Sequence, residues 1–412
     1  MSTDVRAVPE LPLSAVGQWQ AGGGDLVELL ARAQREAGGI AAIPLGGDGP
    51  TVLVTDPVGV QHVLGRHPDR YVKRSHRARM LVGDGVLSAT GDAWRRQRRL
   101  LQSQFTGTGM RRYEQRIAEA AQRTADRWAG YARTGETFDV GEEMRRFALD
   151  TVWRALTGHE MDDATDRELR SVERVVAAMP TLPTNAADAR DAVAEDLARI
   201  DAIAQAAINA ARTTHDSPGV LRDLLEASSQ HPEYTDQLIR DELVTLIVAG
   251  HETTATTLTW LYLLLDRHPE ARTADPQALV SETLRLYPSA WMLPRHAVED
   301  DVLAGHHIAA GTDVLVCPYL THRDPSLWPD PERFDPTRFT GTGTRPAHLA
   351  AYYPFGLGAR ACLGTQFALR ETTALLELLL PTYDVSFLST PARSAYSITV
   401  RPDGPTPAVL RT

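Results

Sequence analysis

The stretch Phe355-Gly-Leu-Gly-Ala-Arg-Ala-Cys-Leu-Gly364 sets three glycines around one cysteine, and a helical pattern follows at once. We interpret it as a tight loop that presents the Cys362 sulfur at the start of a helix, where amides and the helix dipole stabilise a thiolate. Glycine at 356, 358 and 364 lets a large flat ligand approach the backbone. Such a thiolate suits one metal whose other coordination positions belong to a macrocycle.

Two alternatives compete with this interpretation of the loop. A lone cysteine in a Gly-rich turn is often a buried structural residue. The run Gly356-Leu-Gly358-Ala-Arg-Ala361 also imitates a dinucleotide-binding fingerprint, but too little chain follows it to complete that fold.

A second motif, Ala249-Gly-His-Glu-Thr-Thr254, lies in the middle of a helix predicted over about 235–266 that is apolar on nearly every face. Buried polar groups are costly without partners. The Thr253 hydroxyl can bond the carbonyl one turn back and open a groove beside the Glu252 acid. The alternative is a kinked core helix whose Glu252 is salt-bridged elsewhere. A zinc-protease HExxH helix is excluded because residue 255 is alanine.

The pair in Glu282-Thr-Leu-Arg285 has opposite charges on one helix face. Such a pair is usually solvated. Because apolar residues flank it, and because Pro331-Glu-Arg-Phe334 supplies Arg333, we predict a buried clamp of Glu282, Arg285 and Arg333.

Composition narrows the function classes. The chain has 412 residues, 43% of them hydrophobic, and a formal net charge of −10, which predicts a globular protein and argues against a nucleic-acid partner. Its two cysteines, Cys317 and Cys362, exclude a disulfide scaffold, and Cys317 is assigned to the core. We find no signal peptide and no membrane span, and expect a cytoplasmic monomer. Lys73 is the one lysine, a bias that we attribute to GC-rich coding.

The predicted fold class is mainly α with minor β, in a single domain over 1–412. A β-containing region occupies about 1–65, a helical core about 91–287, and a meander, the cysteine loop and hairpins about 288–412. Helices are predicted near 25–35, 117–131, 186–211, 276–287 and 362–380, with strands near 51–55, 302, 308 and 314–316.

Together these motifs resemble the cytochrome P-450 family, the haem-thiolate monooxygenases. The likeness rests on the cysteine loop, the helix motif, the Glu282 and Arg285 pair, and the segment Thr321-His-Arg-Asp-Pro325 with the meander after it. In the N-terminal half it thins to Trp94 and Arg98, one helical turn apart. The resemblance implies a fold with haem between the long central helix and the cysteine loop.

The resemblance also implies roles for residues. Cys362 would be the axial ligand of haem b, and Glu252 and Thr253 the oxygen-activation pair. Glu282, Arg285 and Arg333 would form the structural triad. Arg98, Arg295 and Arg360 would bind the haem propionates, with Trp94 assisting. The remaining haem-binding residues would be Ala249, Phe355, Gly356 and Gly364.

By the same resemblance, the substrate is a mid-sized hydrophobic or aromatic natural product of bacterial specialised metabolism. It would be hydroxylated, epoxidised or oxidatively coupled. The alternatives are a peroxide-driven peroxygenase and a non-catalytic haem-thiolate sensor. Segments 76–87 and 179–184 would form mobile walls. The pocket would be lined by Thr245, Val248, Ala249, Ala290, Trp291, Met292, Leu293 and Tyr396, with Ser397 beside them.

Electrons would come from outside, because the haem domain uses the whole chain length. A ferredoxin or flavodoxin with its reductase is the implied partner. The run Trp94-Arg-Arg-Gln-Arg-Arg99 places Arg95, Arg96 and Arg99 away from Arg98 on a helix, which favours a docking face for an acidic carrier. A merely solvated basic face is the alternative.

Overall fold

A computed structural model describes residues 5–45, 49–73, 78–178, 190–213, 219–341, 346–391 and 393–411. Helices dominate, and the strands form small sheets, as the sequence predicted. Within the described ranges, no helix combines the length and the apolar character needed to cross a bilayer.

The α-helices of the described residues are numbered in chain order. They are α1 Leu13–Ala21, α2 Leu26–Ala37, α3 Pro57–Val60, α4 Arg79–Val82, α5 Gly91–Gln102, α6 Thr108–Arg111, α7 Glu114–Thr134, α8 Val140–Thr157, α9 Asp163–Ala178, α10 Ala194–Thr213, α11 Val220–Gln230, α12 Asp236–Arg267, α13 Pro276–Leu286, α14 Pro318–Thr321 and α15 Thr365–Leu379. A π-helix, Gln61–Arg66, follows α3, and short 3-10 helices include Pro336–Phe339 and Gly358–Arg360.

The strands are short. They are β1 Ile40–Ile43, β2 Thr51–Val54, β3 Tyr71–Val72, β4 Phe138–Asp139, β5 Leu293–Ala297, β6 Asp301–Leu303, β7 His306–Ile308, β8 Asp313–Val316, β9 Asp384–Phe387, β10 Ser394–Tyr396, β11 Val400–Pro402 and β12 Pro407–Arg411.

The chain divides into two compact units. The first comprises 1–74 and 284–362, and the second comprises 75–283 and 363–412. A five-stranded sheet in the order β1-β2-β8-β5-β3 organises the first unit. Strands β3 and β5 are antiparallel, with Tyr71 opposite Ala297 and Val72 opposite His296. The next residue, Lys73, therefore continues toward Arg295 on β5.

The second unit is built around the central helix α12, which is buried along most of its length. Thr235 caps it, accepting the Leu238 N–H at 3.2 Å through its hydroxyl. Helix α8 crosses α12 closely at Gly250. A Cβ placed on this glycine would lie 2.8 Å from Val152 Cγ2. Gly250 is therefore needed for helix packing, and α12 continues through it without interruption.

Candidate active site

The cysteine loop lies in the first unit and is held by its own backbone. The Cys362 N–H donates to the Phe355 carbonyl at 2.7 Å. Gly356 and Gly358 have φ values of 71° and 69°, a left-handed conformation that side chains disfavour. A Cβ on Gly358 would also lie 2.3 Å from the Leu64 carbonyl oxygen. This glycine is therefore required for packing within the protein.

Cys362 is exposed in this structure, which is unusual for a cysteine. Helix α15 begins at Thr365 with Gly364 at its cap position, so the sulfur lies before the helix and not in its first turn. The predicted helix start near 362 is corrected by three residues.

Cys317 behaves as predicted for a core cysteine. It is buried, and its thiol lies 3.4 Å from the Trp291 carbonyl oxygen. Burial raises the pKa of Cys317 to about 12. The thiol therefore stays protonated near neutral pH, and Cys362 is left as the thiolate candidate of the chain.

Cationic side chains gather near this loop within the first unit. Arg295 is buried, and no carboxylate of the described residues lies within ion-pair distance of it. Burial lowers the pKa of Arg295 to about 10. Burial and then the repulsion of Arg295 and Arg360 lower the pKa of Lys73 to about 7, against the opposing effect of Cys362. A buried guanidinium without an anion calls for an acidic ligand.

This donor set fits a haem. A thiolate can bind the iron, and the cations Lys73, Arg295 and Arg360 match the two propionates. Arg295 and Arg360 were predicted for this role. Lys73 was missed because its being the one lysine was attributed to coding bias, and because the strand Tyr71–Val72 before it was not predicted.

We expect the Lys73 amine of the haem-free protein to be acylated by an N-hydroxysuccinimide ester at about pH 7.5. With the pKa lowered to about 7, most of the amine is neutral and nucleophilic there. Bound propionates would favour the ammonium and shield it, so haem loading should suppress the labelling. Mass spectrometry assigns the labelled amine unambiguously, because the other amine of the chain is the N-terminus. Lys73→Arg is the control variant. Equal labelling with and without haem would contradict this placement.

The middle of α12 has an exposed patch between two buried stretches of the helix. Ala249 is exposed, and Val248, Glu252 and Thr253 are half-buried. The Thr253 hydroxyl donates to the Ala249 carbonyl at 2.9 Å, which confirms the predicted back-bond. A buried helix with a bare central face has room for a flat ligand beside it.

Two polar partners of this motif were missed by sequence reasoning. The Thr399 hydroxyl donates to Glu252 Oε1 at 2.7 Å. The Thr254 hydroxyl donates to Glu371 Oε1, also at 2.7 Å, and burial holds the pKa of Glu371 well above its usual range. No spacing signal links residues so far apart in the sequence.

Helix α5 carries the predicted aromatic and basic residues. Trp94 and Arg98 are half-buried, whereas Arg95, Arg96 and Arg99 are exposed. Arg95 pairs with Asp92 at 2.7 Å, and the nearest carboxylate contact of Arg96 is Glu233 at 3.8 Å. The helix is thus divided into two faces, as its sequence predicted.

The structure buries the first two members of the predicted clamp and exposes the third. Glu282 and Arg285 are fully buried. Arg285 donates to the carbonyls of His322 at 2.9 Å, Pro331 at 2.6 Å and Arg333 at 3.0 Å. The side chain of Arg333 is exposed, so this residue contributes its carbonyl, and its predicted place in the clamp is wrong.

The buried arginine of the meander is Arg338, which donates to the Asp330 carbonyl at 3.0 Å. The sequence holds two similar runs, Pro331-Glu-Arg-Phe334 and Pro336-Thr-Arg-Phe339. The first was chosen, and the structure assigns the buried position to the second.

The predicted substrate pocket is corrected at two positions. Trp291 is 1% exposed and belongs to the core of the first unit. Thr245 is also buried, and a Cβ on Gly85 would lie 2.2 Å from its hydroxyl, so the 83–85 segment covers it. The other predicted positions, Val248, Ala249, Ala290, Met292, Leu293 and Tyr396, keep exposed surface, as does Ser397. Residues 76–77 and 179–184 of the proposed walls lie outside the described residues.

Comparisons with known proteins identify the family. The cytochrome P450 family model matches residues 7–274 and 277–402. Cyclooctatin synthase of Streptomyces melanosporofaciens is 31% identical over 82% of this chain and 83% of its own. Cyclooctat-9-en-7-ol 5-monooxygenase of the same organism is 30% identical over 82% of both.

Solved structures show the same fold. The cytochrome P450DA haem domain matches with a TM-score of 0.84 and 25% identity, over 99% of this chain and 97% of that one. CYP175A1 from Thermus thermophillus matches with a TM-score of 0.77 and 30% identity, over 98% and 100%. With a family match over nearly the whole chain, and with one thiolate candidate near a buried arginine, this protein belongs to the cytochrome P450 family of haem-thiolate monooxygenases.

Proposed function

We propose that this monooxygenase oxidises a mid-sized hydrophobic natural product in bacterial specialised metabolism. The observation that carries the proposal is the likeness, at 30% identity, to a Streptomyces enzyme named for the 5-monooxygenation of cyclooctat-9-en-7-ol. The apolar side chains of Val248 and Ala249, which keep exposed surface on α12, support it.

The haem supplies the oxidising chemistry, and its thiolate ligand favours cleavage of the O–O bond. The chain's own residues do the rest. Cys362 would hold the iron, and Lys73, Arg295 and Arg360 would hold the propionates. Thr253 donates a hydrogen bond within the site, and Glu252 hands a proton toward it.

The presence of the Glu252 and Thr253 pair favours a monooxygenase over the two alternatives. A haem-thiolate sensor has no use for a proton donor at this point of the helix. A peroxygenase uses peroxide, in which the oxygen is already reduced. It therefore needs no electron carrier and normally lacks such an acid and hydroxyl pair.

A spectral binding screen tests the substrate class. Terpenoid, polyketide and modified-peptide libraries are titrated into the ferric protein, and displacement of distal water is read from the Soret band. We expect hits among the apolar members of these libraries, with oxygenated products after addition of ferredoxin, reductase and NADPH. Hits confined to charged or small polar compounds would contradict the proposal.

We also propose that electrons arrive from an acidic ferredoxin or flavodoxin docked on Arg95, Arg96 and Arg99. Opposite charges speed association, and this effect fades as the Debye length shrinks to about 8 Å at physiological ionic strength. Changing these three arginines to glutamate should slow ferredoxin-driven reduction and flatten its salt dependence in stopped-flow measurements. Haem content and reduction by dithionite serve as controls and should not change. A triple variant as fast and as salt-sensitive as wild type would place docking elsewhere.

A further inference from the structure

A cavity of about 370 Å³ in the second unit lies beside α12, and Val248 and Ala249 are not among its lining residues. Arg145, Glu173, His251, Glu252 and Thr256 are among the residues that line it. Arg401 of β11 and the exposed residues Asp403 and Gly404 after this strand also line it, so the cavity opens toward solvent. We call this space the charged cavity.

Two buried polar atoms of residues that line the charged cavity make no hydrogen bond within the described part of the protein. Arg145 is 7% exposed, and its buried Nη1 has no hydrogen-bond partner among the described residues. The same holds for Glu173 Oε1, although this oxygen lies 3.3 Å from Arg145 Nε. Buried polar atoms are normally satisfied by protein or by ordered water. At roughly 30 Å³ per molecule, the cavity has room for about ten waters.

Glu252 lies at the inner wall of the charged cavity. Thr399, which is 2% exposed, donates to Glu252 Oε1 at 2.7 Å. Thr399 directly precedes β11, so the C-terminal hairpin fixes where this carboxylate sits. The next residue along the helix is Thr253, whose hydroxyl donates to Ala249 on the bare central face. Glu252 thus stands between the charged cavity and the reacting side of α12.

Glu173 is the carboxyl of the charged cavity best suited to exchange protons. Burial and the nearby Glu142 raise its pKa, while Arg145, His251 and Arg170 act in the opposite direction. Arg145 is itself shared with Glu142 and Asp166, so it does not neutralise Glu173 alone. A carboxyl whose pKa moves toward neutrality is a better proton donor at neutral pH.

We propose that the charged cavity is the water-filled route by which solvent protons reach Glu252, with Glu173 as the exchanging carboxyl and Thr399 as the residue that positions Glu252. The inference rests on the proposed function. Each oxygenation combines O₂, two electrons and two protons with the substrate and releases one water. Both protons come from solvent, and each carboxyl is reprotonated by cavity water after it gives up its proton.

The first test needs no turnover. At mildly acidic pH, the infrared spectrum of the ferric holoprotein should contain a carboxylic-acid carbonyl band that is absent from Glu173→Gln. This band should shift as soon as the protein enters D₂O. The band removed by Glu371→Gln should shift more slowly, because Glu371 is 1% exposed. A Glu173 band that exchanges as slowly as that of Glu371, or no band assignable to Glu173, would overturn the route.

The second test uses O₂ as the only co-substrate. With ferredoxin, reductase and NADPH but no added substrate, electrons leave as hydrogen peroxide or as water, and water requires further protonation. Glu173→Gln and Thr399→Val should each raise the peroxide released per NADPH several-fold. Thr399→Ser keeps the hydroxyl and should match wild type, as should Glu168→Gln, an exposed change on the same helix α9.

The pH profile separates proton transfer from damage to the structure. In wild type, the peroxide fraction should rise as the pH rises through the raised pKa of Glu173, because the donor form is then lost. Glu173→Gln should release a high fraction of peroxide that does not rise with pH in this way. If the peroxide fractions and pH profiles of the variants match those of wild type, and the ferrous–CO spectrum of the protein is normal, the proposed proton route alone is overturned. An abnormal ferrous–CO spectrum of the protein would overturn the proposed function.

Discussion

Thr253→Ala should continue to consume NADPH in the presence of substrate while releasing most of the reduced oxygen as hydrogen peroxide. The structure gives the reason, because the Thr253 hydroxyl donates one turn back, to Ala249, on the half-buried face of α12. Glu252→Gln removes the neighbouring acid and should lower the rate of product formation. A positioned general acid contributes roughly 10²- to 10⁴-fold, and we expect losses in that range.

Product and peroxide are measured together by mass spectrometry and a peroxidase assay, using a substrate from the binding screen. Thr257→Val is a matched control, because Thr257 is another threonine of α12 whose hydroxyl donates to a carbonyl one turn back. It should retain coupling. Normal coupling in both Thr253→Ala and Glu252→Gln would contradict the assigned proton path.

Arg285→Met should cause the largest loss of stability. Arg285 is fully buried and satisfies three carbonyls, those of His322, Pro331 and Arg333. Its guanidinium also lies 5.3 Å from the centre of the Trp328 ring. Removing one partner of a buried charge network costs about 3–5 kcal/mol, a large share of the about 5–15 kcal/mol that holds a typical domain folded.

Urea unfolding of the holoprotein measures this loss, and the corrected clamp supplies its control. Arg333→Ala should change the free energy of unfolding by no more than about 0.5 kcal/mol, because only its side chain is removed and that side chain is exposed. Arg338→Ala should destabilise clearly. A large loss in Arg333→Ala with none in Arg338→Ala would restore the original assignment.

The helices were predictable where local patterns decide them. The central helix was expected over about 235–266 and is observed at Asp236–Arg267, because a capping threonine precedes a long apolar run. The helix predicted at 276–287 is observed at Pro276–Leu286, with proline in its first turn. Both ends are marked by residues whose backbone preferences are strong.

The site was predictable only where its residues are close in the sequence. Cys362, Glu252 and Thr253 lie in compact motifs. Thr399, Glu371 and Lys73 reach the same motifs through tertiary structure, and no local pattern announces them. Trp291 shows the opposite error, since a pocket position inferred from the family proved to be a core side chain.

The repeated Pro-x-Arg-Phe runs show a further limit. Arg333 and Arg338 have nearly the same neighbours in the sequence, and the structure distinguishes them by their burial. A motif specifies the order of residue types, whereas the partners that surround each arginine in the folded protein determine which of them is buried.

The ferrous–CO spectrum of purified protein and of two cysteine variants tests the central assignment most directly. Wild type should show the strongly red-shifted Soret band of thiolate ligation. Cys317→Ala should keep it, because that thiol is buried and stays protonated. Cys362→Ser should lose it. A normal thiolate band in Cys362→Ser, or its loss in Cys317→Ala from a folded, haem-containing protein, would contradict Cys362 as the iron ligand.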